Sequence, residues 1–240
     1  MVTKEPETVA VILARGGSVG VPRKNVIDFA GRPLITWTIS QVQRAGISRI
    51  YVSTDDAEIG RIAEGAGAKI VARPVELAGD SAPGDDAVIH VINVLNLSPE
   101  TVIVMPQVTS PLRLPEHITE AVSLIASGAA DSVFTANRVD DICVWEITDS
   151  PKSVTYDYLN RGTRQERPIT VVENGSVYCT TVGALRLSGN RLSGRIRGSL
   201  MPKWTMPQID EPEDLMLCEI IMAAYVIQDK DTEFVVTLDV

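Results

Sequence analysis

Residues 9–25 read VAVILARGGSVGVPRKN. An apolar run, Val9–Leu13, ends in a loop that carries three glycines, two arginines and a lysine. A short continuous apolar run rich in β-branched residues is the pattern of a strand buried on both faces of a parallel sheet. In open parallel sheets ligands gather at the carboxyl ends of the strands, so the loop after this run sits at that edge. Gly16, Gly17 and Gly20 allow a tight turn and close approach of a ligand, with backbone N–H groups free to meet phosphate oxygens. Arg15, Arg23 and Lys24 add positive charge. The spacing G-G-x-x-G is not the G-x-G-x-x-G of a dinucleotide site, and Val21 after Gly20 breaks the P-loop pattern. Two readings remain: a loop suited to a nucleoside triphosphate whose pyrophosphate leaves, or a tight turn with solvated arginines.

Outward from this loop the same character returns in Arg49–Asp56 and Thr101–Gln107, with AKIVARP (68–74) and DSVFTAN (131–137) as further strands. Helical stretches lie between them at Leu34–Ala45, Ala57–Gly65, Asp85–Leu95 and Pro115–Ala126. This alternation predicts βαβ units, a doubly wound, mostly parallel α/β sheet and right-handed crossovers. The rhythm changes after Asn137. Arg138–Pro168 is polar, with short β-prone pieces ICVWEIT (142–148) and SVTYDYL (153–159) and no clear helix, and reads as an arm or antiparallel flap. NGSVYCT (174–180) returns to strand character. DEPEDLMLCEIIMAAYVI (210–227) predicts a terminal helix, with Pro212 in its first turn and acidic residues at the positive end of its dipole. Residues from Asp229 onward receive no assignment. The length of 240 residues fits a single domain, 1–240, with an arm at 138–170.

A hydrophobic content of 45% and a charged content of 22% suit a globular chain able to bury a core. The net charge of -9 argues against non-specific binding to nucleic acid or an anionic membrane. Any anionic ligand must be met by a local cluster of cations. Cys143, Cys179 and Cys218 follow no metal-ligand spacing and read as small apolar residues in a reducing compartment. The polar N-terminus MVTKEPET carries no signal peptide pattern and no apolar run reaches membrane length, so a cytoplasmic protein is expected. With His90 and His117 alone, a histidine-based zinc site or a Ser-His-Asp site has little to work with.

ARGGSVGVPRKN resembles the signature of the acylneuraminate cytidylyltransferases, which activate sialic acids and related nine-carbon acidic sugars. GRPLITWTI, VSTDD, ARPVELAGD, MPQVTSPLR, RQERP with ENGSVYCT, and IDEPEDL follow in that family's order across residues 9–220. The resemblance implies a Rossmann-like nucleotidyltransferase with a small antiparallel dimerisation arm, acting as a homodimer. It also implies a CTP-dependent enzyme in which an acceptor hydroxyl attacks the α-phosphate, pyrophosphate leaves and a CMP-sugar forms. Such chemistry asks for in-line positioning and for charge to be spread onto cations and a metal, here Mg2+.

By that resemblance Arg15 and Lys24 contact the triphosphate with Arg23 beside them, Gly16, Gly17 and Ser18 wrap it, and Asn25 holds the nucleotide. Arg73, Ala78, Asp80 and Ser81 read cytosine and ribose, and Arg73 donating to the cytosine carbonyl would help select pyrimidines. Gln107, Thr109, Ser110 and Arg113 belong to the acceptor segment, although Ser110-Pro111 alone also makes a simple turn. Arg164 and Gln165, with Arg167, face the acidic acceptor from the arm, where a planar guanidinium suits a carboxylate. On the residues alone, the same segment is a charged exposed arm. Glu173 and Asn174 lie on a substrate-side strand, and Asn-Gly is by itself a good turn. The family commonly binds magnesium with two aspartates one residue apart. Asp210 matches the second and Gln208 stands at the first. Magnesium tolerates amide and water ligands and binds largely through substrate phosphates. Asp210 equally suits the start of the last helix.

Two positions depart from the pattern. Val19 stands where the family often has lysine, and a lost charge-assisted hydrogen bond to phosphate costs about 1.5–3 kcal/mol. Val19 and Gln208 both touch the electrostatics of phosphate and metal. They leave open a different acceptor, a compensating cation such as Arg23, or a slow or inactive enzyme. Beside CMP transfer to a nonulosonate, the alternatives are the same chemistry on Kdo or a small phosphonate, and a nucleotide-binding pseudoenzyme. An NAD-dependent oxidoreductase has the wrong glycine spacing.

Overall fold

The structure is a computed structural model that describes residues 6–18, 20–140, 142–166 and 169–227. Val19, Arg167 and the residues from Asp229 onward lie outside the described residues. In chain order the first half comprises β1 (Thr8–Leu13), the hairpin strands β2 (Asp28–Phe29) and β3 (Arg32–Pro33), α1 (Leu34–Arg44), β4 (Ile50–Thr54), α2 (Ala57–Gly65), β5 (Lys69–Ala72) and α3 (Gly84–Val94). Then come β6 (Val102–Pro106), α4 (Pro115–Ala126), β7 (Ser132–Arg138), the short strands β8 (Trp145–Glu146) and β9 (Lys152–Ser153), β10 (Val171–Thr181), α5 (Val182–Ser188), β11 (Ile196–Leu200) and α6 (Pro212–Tyr225).

The main sheet has the order β11-β7-β10-β6-β1-β4-β5. β1 pairs in parallel with β4 and β6, β4 with β5, and β11 with β7. β10 alone runs antiparallel, wedged between β6 and β7. The expected doubly wound, mostly parallel sheet is what forms. Alternation along β1 shows why both faces are covered: Ala10 and Ile12 join one core cluster, Val9 and Val11 the other. α1, α2, α4 and α6 supply the first cluster, through residues such as Ile39, Ile59, Ile118 and Met222. α3 and α5 supply the second, through Val88, Val91, Val182 and Leu185. Cys179 and Cys218 are buried free thiols of the first cluster, and burial pushes Cys218 up to about 12.

The β2–β3 hairpin, α5 and β11 go beyond the expected elements. α5 is seven residues long, capped by Thr181 Oγ1 accepting from Ala184 N and ended by Gly189 at φ 66. β11 is an edge strand with mostly exposed residues, so it lacks the apolar alternation that marks a half-buried strand. Within the arm, Trp145–Glu146 pairs antiparallel with Lys152–Ser153. Among the described residues no helix is long and apolar enough to cross a membrane.

Candidate active site

The loop after β1 is fastened by its own backbone. Ala14 N extends the ladder to Ser53 O at 3.0 Å, and Gly16 N donates to Asp55 Oδ1 at 2.9 Å. A Cβ on Gly20 would overlap the carbonyl oxygen of Asp210, so glycine is required where the loop meets the segment before α6. Arg23 adopts φ 56 at the entry to a 3-10 turn, Lys24–Val26. That turn folds Lys24 inward. Its Nζ donates to Ile209 O at 2.8 Å and Asp210 O at 3.4 Å, and pairs with Asp210 Oδ1 at 3.1 Å. Asn25, also buried, donates Nδ2 to Arg15 O at 2.9 Å.

Arg15, Ser18, Lys24, Asn25, Arg73, Asp80, Thr109 and Asp210 line one cavity of about 590 Å³ at the carboxyl edge of β1. Arg15 Nη1 pairs with Asp80 Oδ1 at 2.7 Å and donates to Ala78 O at 3.5 Å. Asp80 and Asp210 are 74% and 64% exposed, so their oxygens are weak partners that phosphate oxygens can replace. Arg73 is buried and clamped on one residue, with Nε on Ser53 Oγ at 3.1 Å and Nη2 on Ser53 O at 2.7 Å. Burial lowers its pKa, with Asp55 opposing that shift and Arg15 adding to it. Three cations thus surround one cavity in a chain whose net charge is -9.

The remaining nucleotide candidates fall elsewhere. Gly16 and Gly17 shape the loop but do not line the cavity, Ala78 contributes only its carbonyl, and Ser81 is exposed outside it. Arg23 is occupied by Asp56 Oδ2 at 2.5 Å and by Glu58. Its guanidinium holds Asp56, the N-cap of α2, below the usual carboxylate range. Arg23 thus fastens the loop to α2 and is absent from the lining of this cavity.

A second cavity of about 240 Å³ adjoins the first, sharing Leu13, Asn25, Gly84 and Thr109 and adding Gln107 and Arg191. Of the acceptor candidates, Gln107 and Thr109 line it. Arg113 is fully buried and does not. It donates Nε to Ser110 O at 3.2 Å, Nη1 to Ser176 O at 3.4 Å, and Nη2 to Thr38 Oγ1 at 3.4 Å and to Gln107 O. Ser110 Oγ donates to Asn174 O at 3.4 Å. Asn174 is buried as well, with Oδ1 accepting from Thr135 Oγ1 at 2.7 Å and Ser176 N at 3.0 Å. Glu173 accepts from Tyr178 Oη at 2.8 Å. Burial, with that bond, pushes the Tyr178 hydroxyl up to about 12. Ser110, Arg113 and Asn174 thus form a polar brace under the cavity floor, because their partners are backbone carbonyls and buried hydroxyls. Arg164 lies in the 3-10 turn Arg164–Glu166 of the arm with exposed Gln165 beside it, and the arm's described side chains line neither cavity.

Gln208 donates Nε2 to Asn174 O at 2.7 Å and joins the brace, whereas Asp210 faces the larger cavity. Asp210 N and Glu211 N both donate to Asp214 Oδ2, which caps α6. Among the described residues no group of three or more His, Cys, Asp or Glu side chains could hold a metal unaided. Asp210 offers one carboxylate, which suits a magnesium ion bound mainly through phosphates. Sequence reasoning left Ser53, Asp55 and Arg191 without roles. VSTDD carried the signal for the first two, and nothing local marked the third.

Fold and site together define a Rossmann-like α/β protein with a cation-lined cavity at the carboxyl edge of its sheet. The family model described as Cytidylyltransferase matches residues 9–172, and the chain belongs to that family. It is 36% identical over 215 residues to N-acylneuraminate cytidylyltransferase B of Danio rerio, covering 88% of this chain and 50% of that protein. With N-acylneuraminate cytidylyltransferase of Escherichia coli O18:K1:H7 it shares 36% identity over 117 residues, 48% of this chain and 27% of the other. The chain spans about half the length, or less, of these curated relatives. Among solved structures, CMP:2-keto-3-deoxy-manno-octonic acid synthetase complexed with CTP matches with a TM-score of 0.65 at 17% identity, covering 91% of this chain and 99% of that one. A 4-diphosphocytidyl-2C-methyl-D-erythritol synthase from Anaerococcus prevotii gives a TM-score of 0.61 at 14% identity, covering 92% and 100%.

Proposed function

We propose that this chain is a CTP-dependent cytidylyltransferase that transfers CMP to an acidic acceptor, a sialic-acid-like nonulosonate, and releases pyrophosphate. The observation that carries the reading is the convergence of Arg15, Lys24 and Arg73 on one cavity beside a glycine-rich loop. The names of its relatives support the nonulosonate, and the CTP in a structure of like fold supports the nucleotide.

In this reading Arg15 and Lys24 exchange the exposed carboxylates of Asp80 and Asp210 for phosphate oxygens and spread the triphosphate's charge. Arg73, clamped on Ser53 through Nε and Nη2, keeps Nη1 for a pyrimidine carbonyl. Gln107 and Thr109 orient the acceptor. Its hydroxyl oxygen bonds to the α-phosphorus, the bond from that phosphorus to pyrophosphate breaks, and the hydroxyl proton passes to solvent. Asp210 would hold magnesium at the larger cavity, and the ion would supply positive charge toward the leaving pyrophosphate; Gln208 is turned to the brace. The chain acts as a cytoplasmic homodimer of single 1–240 domains joined through the arm, where Ile147 and Leu159 are exposed.

The test is pyrophosphate release with CTP, ATP, GTP or UTP and magnesium, with N-acetylneuraminate as acceptor. CTP is expected to be used alone, and Lys24→Ala is expected to lower kcat/KM for CTP about 100-fold. Equal use of all four nucleotides, or an unchanged K24A enzyme, would overturn the proposal.

A further inference from the structure

We infer that Arg191 binds an acid group of the acceptor, a carboxylate or phosphonate, and so determines acceptor specificity; this rests on the CMP-transfer reading above. Arg191 lies in the turn after α5, beyond residues 9–172 that the family model matches. Its side chain crosses to the first turn of α3, where Nε pairs with Asp85 Oδ1 at 2.6 Å. Its own backbone N–H donates to Asp85 Oδ2 at 3.3 Å. The guanidinium carbon sits 5.0 Å from the ring centroid of Tyr178, whose hydroxyl is fixed by Glu173. Nη2 packs over Gly84, where a Cβ would come within 2.9 Å. Any larger residue at position 84 would displace it.

These contacts use the Nε side and one face of the guanidinium. Neither Nη1 nor Nη2 has a hydrogen-bond partner among the described residues. Arg191 lines the smaller cavity together with Gln107 and Thr109. A guanidinium end with two parallel N–H donors matches a carboxylate or phosphonate bidentately. Asp85, Tyr178 and Gly84 fix its position in advance, so little side-chain freedom is lost on binding. Of the other cations near the two cavities, Arg15, Lys24 and Arg73 line the larger one and Arg113 is consumed by the brace. Among the described residues Arg191 is the arginine that lines the smaller cavity.

The experiment measures pyrophosphate release with CTP for wild type, Arg191→Gln and Arg191→Lys. N-acetylneuraminate, Kdo and phosphonoacetate serve as acid probes, and CTP binding is followed separately by calorimetry. R191Q is expected to raise the acceptor KM about tenfold or more while the CTP KM stays within about twofold, and R191K to recover part of the loss. An acceptor KM within about twofold of wild type, or an equal rise in both KM values, would overturn the inference and leave the CMP-transfer reading standing. If R191Q does not fold, R191K decides, because it keeps the charge and loses the fork: an unchanged acceptor KM overturns the inference. Wild-type protein that binds CTP yet releases no pyrophosphate with any acid would overturn the CMP-transfer reading and this inference with it.

Discussion

Arg113 shows how a charged residue beside a binding segment serves the backbone. Burial pulls its pKa down to about 9, which still leaves it charged at neutral pH. Two of its acceptors, at positions 107 and 110, lie in its own segment, and two, at 38 and 176, are distant in sequence. Nothing within QVTSPLR separates an arginine facing a sugar from one holding carbonyls, which is why the motif located the segment but not the role. Arg15 and Lys24 were legible because glycine spacing and strand position placed their loop at the carboxyl edge, and Arg73 through the resemblance of its segment. Arg191 was not, since a lone arginine between Asn190 and Leu192 carries no local pattern. Arg113→Ala leaves several buried carbonyls unpaired and is expected to destabilise the fold by about 3–5 kcal/mol in urea unfolding. A variant of wild-type stability with a raised acceptor KM would return Arg113 to the substrate.

At the level of elements, α4 carries a pH-sensitive start. Leu114 N donates to His117 Nδ1 at 3.1 Å, and the ring sits 6.1 Å from that of Trp204. Burial lowers the His117 pKa, with Glu120 and Glu116 opposing it. Because the folded pKa lies below the unfolded value of 6.5, the unfolded chain binds the proton more readily. The stabilising effect is therefore full above the unfolded value and is lost as pH falls through 6.5 toward the lower folded pKa. His117→Gln keeps an acceptor at the third helical position. Its Tm is expected to fall less than that of wild type between about pH 7.5 and about pH 5. Parallel Tm profiles would rule out His117 as the source. The helices α1 to α4 were legible from their apolar spacing. α5 and β11 were not: one is two turns long, the other an exposed edge, and tertiary pairing with β7 makes the strand.

For the whole molecule, the balance of charge decides what the surface does. With a net charge of -9, three cations still converge where the sheet's carboxyl edge collects loops, and the arm presents exposed apolar residues among its charged ones. Ile147 and Leu159 are 81% and 83% exposed. Arm docking between two copies predicts twice the 26.0 kDa chain mass by light scattering, and a single-chain mass for the I147D/L159D variant with CTP binding kept. A wild-type monomer would contradict that role for the arm. The mostly parallel sheet followed from the strand–helix alternation, and the place of the glycine-rich loop at its carboxyl edge from residues 9–25; the strand order did not. The antiparallel wedge of β10 did not, because strand direction leaves no trace in composition. Transfer of CMP itself is followed by mass spectrometry of the product. Protein, CTP, magnesium and N-acetylneuraminate are incubated with an equimolar readout of pyrophosphate. A CMP–acid conjugate formed in step with pyrophosphate and absent without CTP is the expected result. Pyrophosphate with free CMP and no conjugate, or intact CTP throughout, would contradict it.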